Sequence, residues 1–169
     1  MFRRARELGP ALLVPLAWAF VTAAHLEVVS EHAVFVAHVV MVLLLSGFAI
    51  TGYGEMREGT LRVWWTIIAL GTVVTLCGVV GLWLEPTDDR LLAVSLFGWM
   101  VLPAVGFLDT GRRVEAGRWI YAGGVGACLL VVGLSALGVV GVPGGSVVAG
   151  LVVVGVGQTA GILDAALRY

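Results

Sequence analysis

Three histidines and two glutamates fall within a short stretch of this chain, as His25, Glu27, Glu31, His32 and His38. His25 and His38 stand at equal spacing on either side of the Glu31–His32 pair. Three kinds of chemistry fit those residue types. Imidazole and carboxylate together ligate zinc, copper or iron. Two imidazoles on neighbouring helices hold a haem iron axially. An imidazole also takes up and releases a proton near neutral pH. The set His25, Glu31, His32 and His38 is therefore the candidate metal, haem or proton site. The plain alternative is a helix hairpin turning at a membrane surface, with each ring bonded to a nearby carbonyl or glutamate. No HExxH, CxxCH or phosphate-binding glycine loop is present, so the pattern is less specific than an established metal motif.

A second candidate is the pair Gln158–Thr159, set in an otherwise apolar run. A buried amide needs hydrogen-bond partners. Run six must then face another helix at this point, or line a substrate path. The remaining deep hydroxyls, Ser46, Thr66, Thr72, Thr75, Ser95 and Ser135, are expected to bond their own helix backbone. All three histidines lie near one end of the apolar runs, so no mid-depth serine has a histidine beside it for hydrolase chemistry. Catalytic residues stay unassigned, and nothing in the sequence requires an enzyme.

Those side chains must be positioned by apolar elements. The chain is 60% hydrophobic and only 12% charged, against about a quarter charged in a soluble domain. One buried core in 169 residues cannot hide that much apolar surface, so lipid is the solvent for most of it. Six apolar runs cover 10–29, 33–53, 63–84, 91–108, 119–140 and 146–167. Each is close to the roughly 20 residues that a helix needs to cross a bilayer. Residues 141–146 carry a strong turn signal between runs five and six. The fold class is all-α: a six-helix polytopic membrane bundle, forming one integral membrane domain over 1–169 and set in the cell membrane.

Charge gives an orientation. Arg3, Arg4, Arg6, Arg57, Arg62, Arg112, Arg113, Arg118 and Arg168 share one side of the runs; only Arg90 lies on the other. With the acidic residues included, the two sides carry +3 and −4, within a net charge of −1. The arginine-rich side is read as cytoplasmic, with both termini there. Tyr53, Trp64, Trp65, Trp119, Tyr121 and Tyr169 fall at that boundary and Trp83 at the opposite one, as interfacial aromatics should. A rival reading takes the N-terminus as a secretory signal cleaved after Ala24, but the apolar stretch continues past that point. Glu58–Arg62, Asp109–Arg113 and Asp164–Arg168 have helical ion-pair spacing. Cys77 and Cys128 read as small buried hydrophobes.

Glycines concentrate in runs three, five and six, including a Gly157-to-Gly161 step, and should let those helices approach closely. The ends of runs two, four and six resemble one another (Gly47–Phe48, Gly106–Phe107, Gly161–Ile162), which fits three repeated helical hairpins. Taken together, the expectation is a small transporter- or channel-like protein. A metal- or haem-binding redox protein using His25 and His38 is one alternative, and an accessory subunit of a membrane complex is another. The partners expected are the lipid bilayer and either a second copy of the chain or a membrane-complex partner. With near-zero net charge and no basic tract, nucleic acid is excluded.

Overall fold

The computed structural model describes residues 2–115, 117–136 and 146–168, and side chains within 12–135 and 147–165. The 141–146 turn signal up to residue 145, the end of run five and Tyr169 lie outside the described residues. So do the side chains of Arg3, Arg4, Arg6 and Arg168.

Six helices follow one another: α1 (Phe2–His25), α2 (Glu31–Gly52), α3 (Gly59–Trp83), α4 (Asp89–Arg113), α5 (Arg118–Ala136) and α6 (Ser146–Arg168). Five are long and apolar enough to cross a membrane, with mean hydropathy up to 2.5 in α2. In α1 the corresponding apolar segment among the described residues is Leu12–His25. Several helices extend beyond their apolar runs; α4, for example, continues through Arg112 and Arg113. Charged side chains at a helix end can reach polar surroundings while the backbone ladder continues.

Local chemistry sets the ends. Ser30 caps α2, its Oγ accepting from the Ala33 N–H at 3.2 Å. Asp88 caps α4 through Oδ1, which accepts from Arg90 and Leu91 N–H at 2.9 and 3.1 Å. Each side chain satisfies amides that a helix start leaves open. α1 closes differently. The N–H groups of Glu27 and Val28 donate to Ala24 and Ala23 carbonyls, with Glu27 at φ 58°. That is a Schellman closure with a glutamate at the left-handed position usually held by glycine. Gly117, at φ 82°, takes the left-handed conformation immediately before α5.

The chain divides into two compact units. The first holds α1, α5 and α6; the second holds α2, α3 and α4 as far as Asp109. In the first unit, Tyr121, Val125, Cys128 and Val131 form one buried stripe, and Leu151, Val154 and Gln158 another, at the three- and four-residue spacing of a helix face. Gly155 makes room for Trp18, since a Cβ there would stand 2.9 Å from the Trp18 Cβ. Gly157 lies against Ala127 and Gly124. Lipid supplies no hydrophobic drive for helix association, so this close fit carries dispersion contacts that a larger side chain would forbid.

In the second unit, Ile67, Gly71, Thr75, Gly78 and Gly81 make the buried face of α3. Trp99 fills the notch at Gly71, Val74 fills that at Gly98, and Trp64 with Ile67 fills that at Gly106. Among the described residues of α2 only Leu45 is buried, while Leu43 and Ile50 are among its exposed large hydrophobics. Such a helix suits lipid around most of its circumference.

Candidate functional site

His38 is the histidine that the fold carries into a span. It lies seven residues into α2, about 10 Å along the axis from Glu31 at the usual rise per residue. Its Nδ1 is 2.9 Å from the Val34 carbonyl oxygen, one turn back. A carbonyl only accepts, so Nδ1 is the donor in this contact, the tautomer that in a neutral imidazole has Nε2 as the acceptor. That side of the ring lies over Gly78 of α3: a Cβ at Gly78 would meet His38 Cδ2 at 2.5 Å, His38 Nε2 at 2.8 Å and Ser95 Oγ at 2.9 Å. Glycine at this position therefore lets an imidazole from α2 and a hydroxyl from α4 reach the same point on α3. The ring is half-buried and Ser95 is buried.

One turn along α3, a second polar contact lines the same face. Thr75 Oγ donates to the Gly71 carbonyl at 2.8 Å and accepts from Trp99 Nε1 at 2.9 Å. At the start of α2, Thr87 Oγ donates to a Glu31 carboxylate oxygen at 2.7 Å. Glu31 and His38 thus both meet partners from beyond α2, as two residues seven apart on one helix face can. His32 is exposed.

His25 belongs to the other unit, at the exposed end of α1, with Nδ1 2.9 Å from the Val21 carbonyl. Among the described residues, no three His, Cys, Asp or Glu side chains come together as metal ligands.

The first unit has a polar centre of its own. Trp18 Nε1 donates to Gln158 Oε1 at 3.0 Å, and Gln158 Nε2 donates to Cys128 Sγ at 3.5 Å. Gln158 is 2% exposed and Cys128 is fully buried. The amide is thus enclosed by α1 and α5, the helix partners its burial demands. Thr159 is half-buried beside it. Both cysteines are free thiols.

Two expectations need correcting. Tyr121 is not an interfacial anchor: it is 1% exposed, lies against Gly111 and donates its hydroxyl to Asp164 Oδ2 at 3.0 Å. A carboxylate within reach lets the phenol go inward with its polar end satisfied. Arg62 does not pair with Glu58; its guanidinium lies over the Trp65 ring at 4.3 Å, where stacking on an aromatic face offsets the missing carboxylate. By contrast, Thr66, Thr72, Thr75 and Ser135 bond carbonyls four residues earlier, as expected.

Sequence reasoning passed over Trp18, Trp99 and Thr87, and it named Ser95 and Cys128 without the side chains they meet, His38 and Gln158. The two tryptophans carried a signal: both sit inside apolar runs, away from the interfacial belts, where an indole N–H must find an acceptor within the protein.

The composition of these helices is consistent with a multispanning membrane protein, with five segments among the described residues long and apolar enough to cross. Comparison with family models, curated proteins and solved structures finds no match.

Proposed function

We propose that this chain is a small multispanning transport protein whose cycle includes proton uptake and release at His38. The observation that carries the reading is the placement of His38 within an apolar helix, its Nδ1 at the Val34 carbonyl and its Nε2 side over Gly78 beside Ser95. An ionisable group in lipid is costly, and such residues mark proton relays and substrate paths. A ring whose Nδ1–H is held by a carbonyl can gain a proton only at Nε2, which supports that atom as the one that takes up the proton.

The rest of the second unit supports the same reading. Glu31, Glu85, Asp88 and Asp89 gather at the end nearest His38, and an acidic rim raises the local concentration of cations, protons included. With the arginine-rich ends facing the cytoplasm, that rim faces outward, in the cell membrane, and protons reach His38 from outside. The Trp18–Gln158–Cys128 centre serves assembly of its own unit and takes no part in the proton step.

The test is proteoliposome flux. Protein is reconstituted with an enclosed pH-sensitive dye, and a pH gradient is imposed. Wild type dissipates the gradient faster than empty liposomes, and His38→Ala returns the rate to the empty-liposome value. Equal rates for wild type and His38→Ala would overturn the proposal.

A further inference from the structure

We infer that the turn joining α2 to α3 is a binding site for the phosphate of an anionic lipid headgroup, built from Arg57, Arg62, Tyr53 and Trp65. This does not depend on the proton reading of His38.

The site begins with two rings. Tyr53 and Trp65 meet edge to face, with centroids 5.3 Å apart. Trp65 is pinned to α2 by its Nε1, which donates to the Ala49 carbonyl at 2.8 Å. Arg62 lies over both rings, 4.3 Å from the Trp65 centroid and 5.6 Å from that of Tyr53. Arg57 lies over Tyr53 at 5.7 Å. Two guanidiniums therefore converge on one phenol ring.

Stacking fixes a guanidinium without consuming its donors. A guanidinium held over an aromatic face keeps its N–H groups, which lie in the guanidinium plane, for an oxyanion. Among the described residues, aromatic rings rather than carboxylates hold these two arginines. A planar fork matches two phosphate oxygens at once, which an ammonium cannot do. The start of α3 adds donors to the same turn. Its N-cap, Glu58, makes no side-chain capping hydrogen bond, so the first-turn amides keep their capacity for an acceptor.

Location selects the source of the phosphate. The apolar spans of α2 and α3 end and begin at Gly52 and Gly59, so the cluster sits where headgroups lie and where aromatic side chains concentrate. Glu55 and Glu58 balance Arg57 and Arg62 in formal charge. Recruitment thus rests on direct contact with the two guanidiniums, which the choline cation of a zwitterionic headgroup would oppose, so a lipid phosphate without such a cation, already confined to that depth, is the ligand they suit.

Native mass spectrometry of the protein released from nanodiscs of mixed phosphatidylglycerol and phosphatidylcholine tests this. Wild type should retain phosphatidylglycerol in preference to phosphatidylcholine. Arg57→Gln should lower that preference about fivefold, the worth of one arginine near a charged bilayer surface. Arg62→Gln should lower it at least as far, and Arg62→Lys should not restore it. Arg90→Gln, outside the cluster, should leave it unchanged. Wild-type retention in the Arg57→Gln/Arg62→Gln double variant would overturn the site. Equal occupancy by inorganic phosphate in lipid-free detergent would overturn its assignment to lipid. Arg57 is exposed, so Arg57→Gln alone decides the question if Arg62 variants fail to fold.

Discussion

Trp18 and Gln158, separated by 140 positions in the chain, share a buried hydrogen bond of 3.0 Å from indole Nε1 to amide Oε1. In a lipid-facing bundle that bond sets how far α1 is advanced along α6. Shifting the helices by one turn would leave an indole N–H and an amide oxygen both unsatisfied. Gln158→Leu should therefore cost about 1–2 kcal/mol of stability in mixed-micelle unfolding, the usual penalty for orphaning a buried donor. The coupling to Trp18→Phe in a double-mutant cycle should be about 0.6–1.7 kcal/mol, as for other hydrogen bonds between membrane helices. Strictly additive single effects would show that the bond does not specify the packing.

Close approach in the first unit rests on particular glycines. A Cβ at Gly155 would stand 2.9 Å from the Trp18 Cβ, whereas one at Gly123 would meet nothing within 4 Å. Gly155→Ala should destabilise by about 1–3 kcal/mol, the range for overpacking. Gly123→Ala should be neutral or slightly stabilising, because alanine is the better helix former. Thermal denaturation in detergent, read by circular dichroism, separates the two; equal effects would contradict the packing described.

Gly78 gives a matching test in the second unit. Gly78→Ala places a methyl group where His38 and Ser95 now converge, so the imidazole must leave α3. Proton flux should fall toward that of His38→Ala, while Gly47→Ala, in open space on α2, keeps the wild-type rate. Unchanged flux in Gly78→Ala would separate the proton step from this contact.

The end of α1 predicts a gain. Glu27 holds φ 58°, a conformation that glycine adopts without a Cβ clash. Glu27→Gly should raise stability by about 0.5–1 kcal/mol, the lower part of the left-handed penalty after glycine's extra unfolded-state entropy is subtracted. A loss of stability would mean that the glutamate side chain makes a compensating contact.

Much of the architecture was legible because lipid imposes a simple rule. A chain that crosses lipid does so as helices or as a closed barrel, and runs of about 20 apolar residues suit helices, so run length and composition disclosed them. The capping role of Ser30, next to the start of α2, was local and within reach of sequence. The partners within each unit were not. His38 and Ser95 are brought together by a missing side chain at Gly78, and glycine marks close approach without naming what approaches. Gln158 announced that it needed a partner, yet its partner Trp18 lies at the far end of the chain, and only helix packing joins them. Tyr121 was misread because its position near a run boundary looked like an anchor, while the acceptor that draws it inward, Asp164, comes from another helix.

On the proposed reading, His38 takes up its proton at Nε2 from within a span. Nitrogen NMR of histidine-labelled protein in bilayers reads this directly, with His25→Gln and His32→Gln variants to assign the signal. The expected result is a neutral ring protonated at Nδ1 under alkaline conditions, with Nε2 gaining a proton on acidification while the Val34 hydrogen bond persists. A ring protonated at Nε2 with Nδ1 bare, or one that takes up no proton before the protein unfolds, would contradict it.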